Sequence, residues 1–294
     1  MEFRSEIASN QRKSIFLLFS LFFLLIGIIY LVGLYLGVSS YAILPFALLF
    51  SIITTISSYW SSDKLVLMIT KARVITEDEG GPLYNIVSEM AIAAGIPMPK
   101  VAIVEDSAPN AFATGRDPEH AIIAFTTGIL AKMDREQLQG VAAHEMSHIK
   151  NRDTLVATVA AVTAGAIALI ADLISRVFLY SGGSKNSKGN PFAMVALIIV
   201  IFLAPVGAIL LRSSISRKRE ALADSSAVAI TRNPTGLRRA LETLRDDSTV
   251  VQAKSNAVAH LWVESPIDKR NSRWHPFDTH PPIQDRIDKL QAME

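Results

Sequence analysis

His144-Glu145-Met146-Ser147-His148 sets two imidazoles four residues apart, with a carboxylate beside the first. On a helix, positions i and i+4 project from one face a turn apart, so both rings can reach a single metal ion. The neighbouring carboxylate of Glu145 is then placed to hold a water at that metal and take its proton. The pattern is that of a zinc site carrying its own general base, although an ordinary helix can spell the same five residues by chance. The rest of the chain decides between the two.

A hydrolytic zinc site needs a third protein ligand and an open position for water. The chain contains no cysteine, so that ligand must be His, Asp or Glu. One class of zinc protease places a third histidine six residues after the second, with a glycine between. Those positions are Thr154 and Asn151 here, which excludes that class. A glutamate on a separate helix is the other common solution. The stretch 217–231 reads as a helix with Glu220 and Asp224 at i, i+4 on one face. Glu220 can ligate the metal while Asp224 accepts the free ring N–H of a ligand histidine and fixes its tautomer. Taken alone, the same pair reads as solvated carboxylates on a basic helix.

What couples the two motifs is the apolar patterning. Half of the 294 residues are hydrophobic, a share expected of membrane spans joined to a polar domain. Residues 14–62 carry no charged side chain, and within them 15–38 and 41–60 are each long enough to cross a bilayer as a helix. They predict an uncleaved transmembrane hairpin. A second hairpin is predicted from 154–174 and 191–211, the latter kinked at Pro205, with a Gly/Ser/Lys/Asn-rich connector at 181–190. A buried or re-entrant hairpin is the alternative for this pair. Either form returns the chain to the side it left, so His148 and Glu220 share one face of the membrane. His148 precedes the second hairpin by roughly 9 Å of helix and Glu220 follows it by about 13 Å, at 1.5 Å per residue. The two motifs therefore hang at similar heights.

Arg4, Arg12, Lys13, Lys64, Lys71, Arg73, Arg212, Arg217, Lys218 and Arg219 flank the spans on that face. The positive-inside rule makes it cytoplasmic, with Arg176, Lys185 and Lys188 dissenting. Net charge is +2, so no general attraction to nucleic acid is implied. The chain divides into an anchor (1–62), a first part of the polar domain (63–153), the second hairpin (154–211) and a second part (212–294). In the polar domain, 81–94 and 135–151 read as helices, and 101–104, 110–115 and 121–126 as strands. His120 sits in the turn between the last two strands and reads as a surface residue. His260 and His275 lie in unpatterned stretches. His280, in Thr279-His280-Pro281-Pro282, is either a rigid donor to a developing oxyanion or a plain helix cap.

With these residues in view, the chain resembles the HtpX family of membrane-bound zinc metalloproteases, relatives of the prenyl-protein CAAX proteases. The resemblance rests on the anchoring hairpin, Asn110-Ala111-Phe112-Ala113-Thr114-Gly115, the run from His144 to Asp153, Arg219-Glu220-Ala221-Leu222-Ala223-Asp224, and Thr279-His280-Pro281-Pro282. It implies an α+β, mainly helical, gluzincin-like protease domain with a small sheet, docked on a four-helix transmembrane anchor. It makes His144, His148 and Glu220 the ligands of one Zn2+ per chain, Glu145 the base, Asp224 a supporting residue and His280 a transition-state stabiliser. Residues 110–115 become an edge strand for extended substrate, which backbone pairing can hold without strong side-chain selection. Substrates would be membrane-protein or unfolded polypeptides, at the cytoplasmic face of the inner membrane. A prenyl-processing protease, a scaffold with a closed zinc site and a transporter are the rival readings. The first has more spans than this chain, and the last wants ionisable residues within them.

Overall fold

The computed structural model describes residues 2–35, 38–163, 165, 167, 172, 217–249, 251, 261–263 and 281–294. His260, His275, His280, the connector at 181–190 and the expected span at 191–211 lie outside these residues. The described part is mainly helical with one small mixed sheet.

The chain begins with two long antiparallel helices, α1 (Glu2–Tyr35) and α2 (Ser40–Trp60). Within them, Ile7–Tyr30 and Ser40–Trp60 are long and apolar enough to cross a membrane. Their apolar side chains divide by face: Leu17, Leu21, Ile43 and Ala47 are buried, whereas Phe16, Phe23, Phe46 and Leu49 are 60–67% exposed. Large aromatic and aliphatic groups left bare in this way suit contact with hydrocarbon. The first crossing segment starts eight residues before the apolar run read from the sequence, because the helix continues through Asn10 and Arg12. Of the expected third span, the structure describes residues 165, 167 and 172 and the apolar helix Asp153–Thr163, whose Leu155, Val156, Val159 and Ala160 pack against Leu17 of α1.

After α3 (Ser62–Thr70) the chain enters the polar domain. Strand β1 (Arg73–Val74) is followed by helix α4 (Glu77–Ala94), then β2 (Lys100–Val104), β3 (Ala111–Thr114), β4 (Ile122–Thr126), a short α5 (Thr127–Lys132) and α6 (Arg135–Lys150). Helix α4 starts earlier than 81 because Thr76 and Glu79 form a reciprocal capping box; Gly81, at φ 44°, then breaks the helix before Pro82 restarts it. The sheet order is β1-β2-β4-β3, with β2 and β4 parallel and the other two pairs antiparallel. Alternation along β4 feeds two cores: Ile123 and Phe125 face α4 and α6, while Ile122 and Ala124 face Val66, Ala161 and Trp262.

Helix α6 crosses the first core. Asp134 caps it by accepting from the Gln137 N–H, and the Gln137 side chain bonds back to the Asp134 N–H. Val141, Met146 and Ile149 are fully buried, each worth about 1.5–3 kcal/mol relative to exposure. That packing fixes the rotation of α6 about its axis and hence where its histidines point. Two helices close on it, Arg217–Thr231 and Pro234–Asp246. The second comes so near that a Cβ on Gly140 would stand 2.5 Å from the Leu237 nitrogen. The C-terminal helix Ile283–Gln291 packs against both.

Candidate metal centre

Because α6 is regular, His144 and His148 leave it one turn apart, with ring centroids 4.7 Å apart and planes at 86°. Their Nε2 atoms face each other at 3.2 Å. Glu220, in the first turn of Arg217–Thr231, brings its carboxylate to the same point: Oε1 is 3.6 Å from His148 Nε2 and Oε2 is 3.8 Å from His144 Nε2. One ligand atom from each of the three lies within 4.8 Å of the others, and among the described residues no other such trio occurs.

Ligands about 2.0–2.1 Å from a tetrahedral ion stand roughly 3.3 Å from each other. The observed separations of 3.2, 3.6 and 3.8 Å bracket that figure. The donors are two imidazoles and one carboxylate, a set that suits zinc and leaves a coordination position for water.

The outward nitrogens are held as well. His144 Nδ1 is 3.0 Å from Asp224 Oδ1, and His148 Nδ1 is 3.0 Å from Asp153 Oδ2. Each contact directs one ring nitrogen away and leaves Nε2 for the shared point. Asp224 is itself clamped by Arg286 of the C-terminal helix, Nε to Oδ2 at 2.9 Å and Nη2 to Oδ1 at 2.7 Å. Asp153 meets Arg219 at 3.3 Å and accepts from the Asn10 amide at 2.7 Å, which links the site to α1. Sequence reasoning anticipated Asp224 but not Asp153 or Arg286. Arg286 shares a helix face with Ile283 and Leu290, and an arginine in such an apolar register was the available signal.

Electrostatics at the site favour a bound cation. Burial pulls the His148 imidazole down, but its bond to Asp153 and the charges of Glu220 and Glu145 outweigh it and lift it to about 9. Burial keeps His144 below its usual value against the pull of Asp224. Burial also raises Glu145 to about 7; His148, Arg286 and a bond from the Ala113 N–H oppose the rise and Glu220 adds to it. Burial alone would raise Asp224, yet Arg286 and His144 hold it well below the carboxylate range. The carboxylates that draw a proton onto His148 are equally placed to draw a divalent ion.

Strand β3 forms the sheet edge beside Glu145, at the position read as 110–115. Antiparallel pairing with β4 uses one side of it. On the other side the Val263 N–H donates to the Ala111 carbonyl at 2.9 Å, and Trp262 bridges Phe112 with rings 4.8 Å apart. Part of the edge is thus taken by the chain itself. His120 lies on the surface turn between β3 and β4, against Asp117.

Residues 78–294 match the model of Peptidase family M48. The chain is similar to a "Protease HtpX homolog" of Streptococcus uberis, 43% identical over 98% of this chain and 99% of that protein. It is likewise similar to one from Dictyoglomus turgidum, 40% identical over 99% of this chain and 95% of the relative. Among solved structures, S. mikatae Ste24p superposes with a TM-score of 0.51 at 16% identity, covering 97% of this chain and 66% of that longer one. That likeness concerns the fold.

Proposed function

The chain belongs to peptidase family M48 as a metalloprotease of the HtpX type, and from that premise we propose that it is an integral membrane zinc endopeptidase acting on damaged or misassembled membrane proteins at the cytoplasmic surface. The carrying observation is the convergence of His144, His148 and Glu220 on one point with Glu145 alongside. We include in the proposal a gluzincin-type domain in two parts, 63–153 and 212–294, separated by the second hairpin and completed by a four-helix anchor. The basic residues flanking the apolar runs 15–38 and 41–60 support the cytoplasmic orientation.

Zinc, when bound, supplies a Lewis acid that polarises water and the scissile carbonyl. Glu145 holds the proton traffic. Its carboxylate takes a proton from the attacking water and returns it to the leaving amine. The Ala113 N–H, now bonded to that carboxylate, shows how near β3 runs to the reacting atoms. An extended peptide would pair along Ala113, Thr114 and Gly115, and His280 would donate to the developing oxyanion. Three protein ligands, with no fourth among the described residues, favour this reading over a closed structural site.

Casein cleavage by the purified chain, measured beside its metal content, tests the assignment. Chelation should abolish cleavage and zinc should restore it. Glu145→Gln should keep the metal and lower kcat by roughly 10²–10⁴-fold. A variant that cleaves at the wild-type rate removes Glu145 from the role.

A further inference from the structure

Where α1 and α2 reach the polar domain they enclose an open cavity of about 580 Å3. We propose that this cavity binds an anionic phospholipid, with the headgroup phosphate on Arg152 and the start of an acyl chain along the anchor helices.

Position is the first argument. Tyr59 and Trp60 line the cavity at the last turn of α2. Aromatic rings of this kind mark the level of lipid headgroups. Below them Ile15, Leu18, Ile56 and Leu155 supply apolar wall, the surface that glycerol and the first methylenes of a lipid would cover.

Charge is the second. Arg152 stands on the cavity wall half-buried, with no carboxylate partner among the described residues. Its neighbours differ: Arg219 meets Asp153, Arg286 meets Asp224, and Arg116, stacked over Trp60 at 4.5 Å, meets Asp117. Arg152 also holds a left-handed backbone, φ 57°, which side-chain-bearing residues seldom adopt. The turn is pinned on either side, because the Asn10 amide donates to the Asn151 carbonyl and to Asp153. A strained, pinned turn beside the membrane, its guanidinium meeting no carboxylate among the described residues, is suited to bidentate contact with phosphate.

A transmembrane helix of a substrate, the rival occupant, would leave this guanidinium unanswered.

Native mass spectrometry of the full chain, released from micelles holding equal phosphatidylglycerol and phosphatidylcholine, reads the occupant directly. Wild type should retain phosphatidylglycerol about tenfold over phosphatidylcholine, one molecule per chain. Arg152→Asn, chosen because asparagine tolerates the left-handed turn, should bring that ratio to about one, and Arg152→Lys should keep most of the preference. Ile56→Trp fills the cavity without touching its charge and should expel the lipid. Equal retention of both lipids by wild type, or undiminished phosphatidylglycerol on Arg152→Asn or Ile56→Trp, overturns the proposal. So does an apolar-helix peptide that photo-crosslinks at position 56 and is not displaced by phosphatidylglycerol; the cavity would then belong to a protein segment.

Discussion

Each imidazole of the pair divides its two nitrogens between different tasks. Nε2 faces the shared point and Nδ1 is tied to a carboxylate, Asp224 for His144 and Asp153 for His148. The tie sets which nitrogen keeps its lone pair, and carboxylates so placed also raise ligand basicity. Asp153→Asn preserves shape while removing the charge, so metal affinity should fall by about 10–100-fold, read by competition against a chelator of known strength. Unchanged affinity would mean that the α6 packing alone orients His148. His144, Glu145 and His148 were legible in the sequence because one helical turn relates them. Glu220 was legible from its place on a second helix and from the return of the chain to one side of the membrane. Asp153 was harder to see as a partner, since it lies past the end of α6 and faces His148 only through the left-handed turn at Arg152. Arg286 reaches Asp224 across 62 residues of chain, a pairing no local pattern encodes.

Among elements, the contact of α6 with Pro234–Asp246 decides how firmly the histidines are held. Gly140 and Gly236 let the two backbones meet, and a methyl group at 140 would strike the Leu237 backbone at 2.5 Å. Gly140→Ala should therefore cost about 1–3 kcal/mol in denaturant unfolding, although alanine is the better helix former. A variant at least as stable as wild type would show that the helices can part without loss. The far end of the same pair closes with Lys132 bonded to Asp247. Burial would raise the Asp247 carboxyl, but Lys132 and Thr249 outweigh it and hold it at about 2. A carboxyl depressed below its unfolded value near 3.9 adds stability that is complete above that value and lost as pH falls toward 2. Asp247→Asn should flatten this part of the stability profile between pH 4 and 2; an unchanged slope would place the titration elsewhere. Strand β2 was readable from its β-branched, apolar run, and β3 and β4 from short segments on either side of the turn-prone Arg116-Asp117-Pro118. Strand β1, two residues long, is too short to leave a pattern. Pro234–Asp246 did carry its signals: the Asn233 cap, Pro234, and Leu237, Leu241 and Leu244 on one face.

At the scale of the whole molecule, the metal centre is assembled from two stretches of chain that a membrane hairpin separates in the proposed arrangement. Neither stretch is complete alone, since α6 brings two donors and Arg217–Thr231 brings the third. Asn10 ties α1 to the turn after α6, so anchor and site meet within one hydrogen-bond network. The outline of this arrangement followed from counting spans. The occupied part of the β3 edge did not, because Trp262 and Val263 reach Ala111 and Phe112 from about 150 residues downstream. Convergence of the two stretches on one ion is the premise beneath everything else, and metal analysis of Glu220→Ala beside wild type tests it most directly. Wild type should carry one zinc per chain, and the variant, folded by its unfolding transition, should carry almost none after dialysis, since removing one of three ligands opens the site. A full equivalent of zinc on Glu220→Ala would contradict the account.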